Sequence, residues 1–263
     1  MLSRVLWPPR PLEKVLSALQ KNNQKFQRIC IQAVNYPGFV NDLLKLVKNV
    51  KEVSGLPISL SSPPVARPDL EKLASLGVDR ICMPLDAATP EIFGLVKGGH
   101  RWQSHLKALA DAREIFGPNV TTHMIIGLGE SEREAVQTIG TLNDQGILVG
   151  LFAFTPIKGT PLSENERPRV DNYRRIQLAR YLISQHLVKV NDIKFQDGKV
   201  ADFGVGADIL RKVVRSGEPF RTSGCPGCNR PFYNESPQGP IYNYPRKPTR
   251  KQIEEIENFL FKQ

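Results

Sequence analysis

β-forming runs alternate with helical runs from residue 28 to residue 195, and this alternation limits the fold more than any other feature of the chain. "RICIQAV" (28–34) leads into a helical run from Phe39 to Val53, and "PISLSS" (57–62) into one over residues 69–76. "VDRICMPLD" (78–86) precedes a helix starting near Thr89, with Glu91 supporting its first turn. A further helical run, Trp102 to Phe116, leads to "NVTTHMIIGLG" (119–129) and then to a helix over 132–145. "ILVGLFAFTP" (147–156), a helix over 170–186 and "LVKVNDIKF" (187–195) complete the series. A strand followed by a helix returns in the same direction, so this rhythm predicts parallel βαβ units. The β runs are rich in Val, Ile and Phe without clean alternation, which predicts burial on both faces. The expected class is α/β, as a parallel β/α barrel or part-barrel. Ligands then gather at the C-terminal strand ends, where Gln32, Asn35, Asp86, Gly127, Gly129, Glu130, Thr155 and Pro156 fall.

The style changes after residue 203. Residues 1–203 read as the barrel and 204–263 as an irregular extension. "GVGAD" (204–208) opens a helix, and residues 216–248 are dense in Pro, Gly, Asn and Tyr. Their aromatics need burial, so the extension is expected to be ordered. It closes in a helix near 249–262, capped by Thr249 with Gln252 three residues on.

A formal charge of +10 speaks to partners and not to fold. No aromatic-basic motif accompanies it, so nucleic acid is not the expected partner; an acidic carrier protein or an anionic cofactor suits the charge, and a plain solvated basic surface is the alternative. No apolar run is long enough to span a bilayer, and the start, "MLSRVLWPPR", carries no secretory h-region. The expected location is cytoplasmic. Of the four cysteines, Cys30 and Cys82 lie in strand-like runs and read first as small buried hydrophobes.

The loop "IIGLGES" (125–131) joins a β run to a helix, yet it is no phosphate loop. It lacks the lysine and hydroxyl of G-x-x-x-x-G-K-[ST], and Glu132 and Arg133 occupy the place of a third Rossmann glycine. Gly127 and Gly129 leave room for a ligand to lie flat on the strand end, while Glu130 and Glu132 discourage phosphate.

Taken with "LFAFTPIKGTPL", the segment "MIIGLGESEREAV" resembles consecutive strand ends of biotin-synthase-like radical S-adenosylmethionine (SAM) enzymes. "RICIQAVNYP" and "CMPLDAATPEIF" resemble two earlier strands, so that the likeness spans about residues 1–200. It implies an incomplete TIM-type barrel of the radical SAM type. It also implies SAM contacts from Gln32, Asn35 and the loop at Ile125, Gly127, Gly129 and Glu130, with Thr155 and Pro156 facing the adenine. Asp86 matches a position that touches ribose or substrate, although the family's Asn two residues earlier is Pro84 here.

That family cleaves SAM with a [4Fe–4S] cluster on a C-x-x-x-C-x-x-C loop, so that a hydrogen atom can be taken from an unactivated carbon. No such triplet occurs here, and "LSRVLWPPRPLEKVL" resembles the segment that follows the cluster loop. The expectation is a chain that begins past that loop and does not cleave SAM by itself; the alternative is a cluster-less relative with a binding role. Biotin synthases also hold a second cluster. Cys30 matches one of its ligands, but Ser59 and Thr121 stand at two others, which argues against biotin synthase itself.

Cys225 and Cys228 in "FRTSGCPGCNRPFYNE" can face one metal from a turn. An auxiliary iron–sulfur cluster, with Cys30 among its further ligands, is one reading. A zinc or redox pair and a plain turn with free thiols are the others. "PFRTSGC" resembles the arginine-serine-serine segment of lipoyl synthases. With the barrel, it points to a subunit of the two-protein lipoyl synthases, in which two radical SAM proteins place sulfur on an octanoyl chain. The implied partners are a second radical SAM protein and an octanoylated carrier or dehydrogenase-complex domain. A radical SAM enzyme of another class, biotin-synthase-like or a methylase, stays open. His100 and His105 show no metal spacing, and His123, on the strand before the glycine loop, reads as a satisfied core histidine, with a substrate contact as the alternative.

Overall fold

The structure, a computed structural model, describes residues 8–225, 228, 230, 235 and 238–261. Residues 1–7, most of "NRPFYNESP" (229–237) and the last turn expected near residue 262 lie outside the described residues.

Five parallel strands form one sheet in sequence order: β1 (Ile29–Gln32), β2 (Ile58–Ser61), β3 (Val78–Cys82), β4 (Val120–Ile126) and β5 (Leu148–Ala153). Helices follow them as expected: α2 (Phe39–Val53) after α1 (Leu12–Asn22), then α3 (Arg67–Ser75), α4 (Pro90–Lys97), α5 (Trp102–Phe116) and α6 (Glu132–Asp144). The barrel is incomplete. The chain packs as two compact units: Met1–Pro84, Arg101–Thr122 and Gly224–Cys228 form the first, and Leu85–His100, His123–Ser223 and Asn229–Gln263 the second.

In the first unit, helix α2 forms because Leu43, Val47 and Val50 recur at helical spacing and are all buried. Strand register sets Cys30 opposite Ser59 and Ser59 opposite Arg80 on one face; Gln32, Ser61, Cys82 and Thr121 form the next row. Ile31, Leu60 and Ile81 point the other way into the core with Leu70, Leu73 and Leu109. The sheet therefore has a polar face and an apolar face; the expected burial on both sides holds for β2 (Ser59 and Leu60 are both buried), while the polar face of β1 is exposed. Along β4, Val120, Thr122, Met124 and Ile126 are inaccessible, while Thr121, His123 and Ile125 between them are half-buried. Apolar letters on both faces hid this period-two pattern. Cys82 is buried as expected, but Cys30 is exposed on the polar face.

In the second unit, the amide of Phe154 donates to the carbonyl of Ile126 at 2.8 Å, which joins the chain after β5 to the end of β4. Helix α6 opens with a reciprocal cap between Ser131 and Glu134. Residues 187–195 add no parallel strand. They end instead in an antiparallel hairpin of β6 (Lys194–Gln196) and β7 (Lys199–Asp202). Its turn, Asp197-Gly198, has φ of +48° and +77°, both in the left-handed region that a type I′ turn requires.

Helix α7 (Val170–Ser184) is enclosed on every side, although it carries Arg174, Arg175 and Arg180. The extension wraps it. Arg174 donates to the carbonyls of Ile241 (2.5 Å) and Tyr242, and it lies against the rings of Phe220 and Tyr244. Tyr242 and Tyr244 are buried, as the aromatic content of this segment predicts. Helix α8 (Ala207–Ser216) follows "GVGAD", and α9 (Arg250–Phe261) closes the chain with the Thr249–Gln252 cap in place. No helix among the described residues is long and apolar enough to cross a membrane.

Candidate functional site

In the second unit the chain beyond β3 runs on beside β4. The amide of Asp86 donates to the His123 carbonyl at 2.7 Å, and the amide of Ile125 donates to the Asp86 carbonyl at 3.2 Å. Asp86 has φ of +64°, which is uncommon for a residue with a side chain and recurs where a site imposes it. Helix α4, started by the Thr89 cap and Pro90, returns Lys97 to Asp86, where the two form an ion pair only about a quarter exposed. A ligand hydroxyl that uses the Asp86 carboxylate must share it with Lys97.

Where β4 ends, the glycine loop closes on itself. Glu130 accepts the amides of Gly127 (2.7 Å) and Leu128 (3.0 Å). Burial pushes its carboxyl above the usual range, against the pull of those amides. With both amides engaged, the loop offers no nest for phosphate. Gly127, at φ +101°, lies against Pro168, and a Cβ there would fall 2.8 Å from the proline Cδ. Gly129, at φ +116°, faces open space. Behind the loop, Glu132 forms a bidentate pair with Arg175 (2.6–3.0 Å), both buried, and accepts the Val200 amide at 2.8 Å. It ties the first turn of α6 to α7 and to the hairpin. Thr155 is exposed and Pro156 half-buried just beyond the Phe154–Ile126 bond.

His123 departs from expectation. Its ring packs against that of Phe152, centroids 4.7 Å apart and planes tilted by 59°, and its nitrogens have no hydrogen-bond partner among the described residues. It is no satisfied core histidine. Burial holds its pKa down to about 4; nearby Asp86 opposes the shift, and Arg230 and Lys97 reinforce it. His105, by contrast, lies against the Met83 carbonyl at 3.3 Å.

Asp86, Ile125, Gly127, Gly129, Glu130, Thr155 and Pro156 thus come together in the second unit, while Gln32, Asn35, Cys30, Cys225 and Cys228 belong to the first. There, Gln32 ends β1 with its amide 3.9 Å from the Cys30 sulfur. Asn35 opens an open concavity of about 500 Å³ that runs on to Asn41. Ser59 donates to the Cys225 sulfur at 3.2 Å and accepts from Arg28 at 3.1 Å, and Arg28 pairs with Asp79. The Cys228 amide donates to the Cys225 carbonyl at 2.9 Å, closing the turn.

Two cofactors can be weighed against these residues. The second unit leaves room for an adenosyl compound, with Thr155 exposed and open space at Gly129. The residues present do not suit a [4Fe–4S] cluster: among those described, no three His, Cys, Asp or Glu side chains could hold a metal ion. Lys97, Arg175 and Arg28 escaped the sequence reading. Only Lys97 left a trace, since one turn-and-helix length separates it from Asp86.

Comparison with known proteins agrees with this geometry. A family model described as "Radical SAM superfamily" matches residues 3–142. The chain is 28% identical to a biotin synthase of Synechococcus elongatus over 153 residues, 57% of this chain and 47% of that one. It is 28% identical to a biotin synthase of Methylibium petroleiphilum over 204 residues, covering 73% and 61%. A 3-methylornithine synthase of Methanosarcina barkeri is 23% identical over 177 residues, covering 66% and 50%. The chain spans about half the length of the curated relatives it matches. Among solved structures, methylornithine synthase superposes with a TM-score of 0.57 at 17% identity, covering 70% of this chain and 55% of that one. The hydrogenase maturase HydG gives 0.54 at 13%, covering 67% and 43%; both likenesses concern the fold alone. Five parallel strands in sequence order, a glycine loop without a phosphate nest and a family match over more than half the residues have one reading: the chain belongs to the radical SAM superfamily.

Proposed function

We propose that this chain is the SAM-binding part of a radical SAM enzyme of the sulfur-insertion type, similar to lipoyl synthase and acting on a protein-bound octanoyl chain. In this reading it works with a second radical SAM protein, and the cluster that cleaves SAM takes its ligands from outside these 263 residues. The observation that carries the reading is the position of the C-terminal thiols. Segment Gly224–Cys228 packs into the first unit, with Cys225 against Ser59 and Cys30 opposite Ser59 in register. Cys225, Cys228 and Cys30 are what this chain offers toward an auxiliary iron–sulfur centre, which needs further ligands. The net charge of +10 suits an acidic octanoylated carrier or dehydrogenase-complex domain.

The test is reconstitution with the second radical SAM protein, SAM and an Nε-octanoyl-lysine peptide, followed by mass analysis. A product bearing two added sulfur atoms supports the reading. Unchanged peptide alongside 5′-deoxyadenosine assigns the pair to another radical SAM reaction, such as biotin-synthase-like insertion or methylation. A second reading, a cluster-less partner that binds an adenosyl compound, is favoured by the missing ligand triplet. Calorimetric binding of S-adenosylhomocysteine without any deoxyadenosine formation in the mixture would bear it out.

A further inference from the structure

His123 is the one polar group on the half-buried face of β4 in the second unit whose side chain lacks a hydrogen-bond partner among the described residues. The residue is half-buried, so its unpaired nitrogens stay open to a ligand, and a neutral imidazole can meet one with both a donor and an acceptor. The ring lies tilted against that of Phe152 of β5. Ile125 follows it on the same face, and the glycine loop starts two residues beyond. Charged groups surround it: Asp86 from the segment after β3, Lys97 from α4 and Arg230 from the extension. Asp86 and Lys97 neutralise each other as an ion pair.

We infer that His123 contacts the second substrate, holding a neutral polar group of an aliphatic chain through its free ring nitrogen while Phe152 packs against the methylenes. The inference rests on the octanoyl reading and gives it a contact residue. An amide fits the chemistry, because a neutral imidazole offers one N–H donor and one acceptor without charge. The aromatic wall suits an alkyl chain and would be wasted on a charged ligand. Burial keeps the ring neutral at pH 7, so this pairing persists across the physiological range.

The test is calorimetry on the chain with two probes, an Nε-octanoyl-lysine peptide and S-adenosylhomocysteine. His123→Phe keeps an aromatic ring against Phe152 but removes the nitrogens. It should weaken peptide binding about tenfold, the worth of one buried hydrogen bond, and leave S-adenosylhomocysteine binding unchanged. His123→Gln keeps a neutral donor and acceptor and should stay within about threefold of wild type for the peptide. In the wild type, the imidazole nitrogen resonances of His123 should move when the peptide is added. If His123→Phe binds the peptide as tightly as wild type, this inference fails and the octanoyl reading stands. If wild type binds S-adenosylhomocysteine but no peptide, the octanoyl reading fails and takes the inference with it.

Discussion

Replacing Glu132 by alanine tests how the glycine loop is held. Its carboxylate accepts three hydrogen bonds from Arg175 and one from the Val200 amide, and only 3% of the residue is exposed. Removing it strands a guanidinium in a residue that is 4% exposed, with Asp171 at 3.4 Å as the remaining acid. Breaking a buried pair in this way costs about 3–5 kcal/mol, and the orphaned amide adds about 1 kcal/mol. Asp171 offsets part of this, which leaves about 4 kcal/mol. With a denaturant slope of about 2 kcal/mol per molar, the urea midpoint of the second unit should fall by about 2 M. Replacing both partners, Glu132→Leu with Arg175→Met, should recover most of the loss, because two apolar side chains leave no unpaired charge. Glu134→Ala, which removes only the reciprocal cap, serves as a control at about 1 kcal/mol. S-adenosylhomocysteine affinity should drop for Glu132→Ala and return in the double variant. A single variant within about 1 kcal/mol of wild type, or a double variant no better than the single, would refute the argument.

Two further outcomes follow from the same region. The unfolded chain protonates His123 near 6.5 and the folded chain near 4, so the unfolded state binds more protons between these values. Stability should fall as pH drops through that window, by about 3 kcal/mol in total, and level off below it. His123→Phe should flatten this part of the urea-midpoint profile, and equal slopes in the two proteins would contradict the assignment. Gly127→Ala meets Pro168 as well as backbone strain, whereas Gly129→Ala meets strain alone. The first should lower the thermal midpoint further, by the equivalent of at least about 1 kcal/mol; equal effects would show that Pro168 yields freely.

Local chemistry was legible in the sequence, and chemistry made by distant pairs was not. Helix Phe39–Val53 announces itself through its apolar spacing, and the Thr89 and Thr249 caps through the residues beside them. The parallel sheet follows from the strand-helix rhythm. That same rhythm hid the hairpin, because the last β run, 187–195, stops just short of the Asp197-Gly198 turn that reverses the chain. Cys30 looks like a core residue among isoleucines, and only strand pairing decides which face it occupies. Ser59 and Cys225 stand 166 residues apart, and Glu132 and Arg175 stand 43 apart; neither spacing carries a periodic signal.

Arg174 finds its carbonyl partners 67 and 68 positions downstream, at Ile241 and Tyr242. During synthesis, α7 emerges long before those carbonyls exist, with a cation on a face that must later become dry. The second unit therefore cannot close around that cation until residue 242 has left the ribosome. A recombinant fragment stopped short of residue 241 would leave that guanidinium uncovered, and the closing residues belong in any expression plan that seeks a folded product.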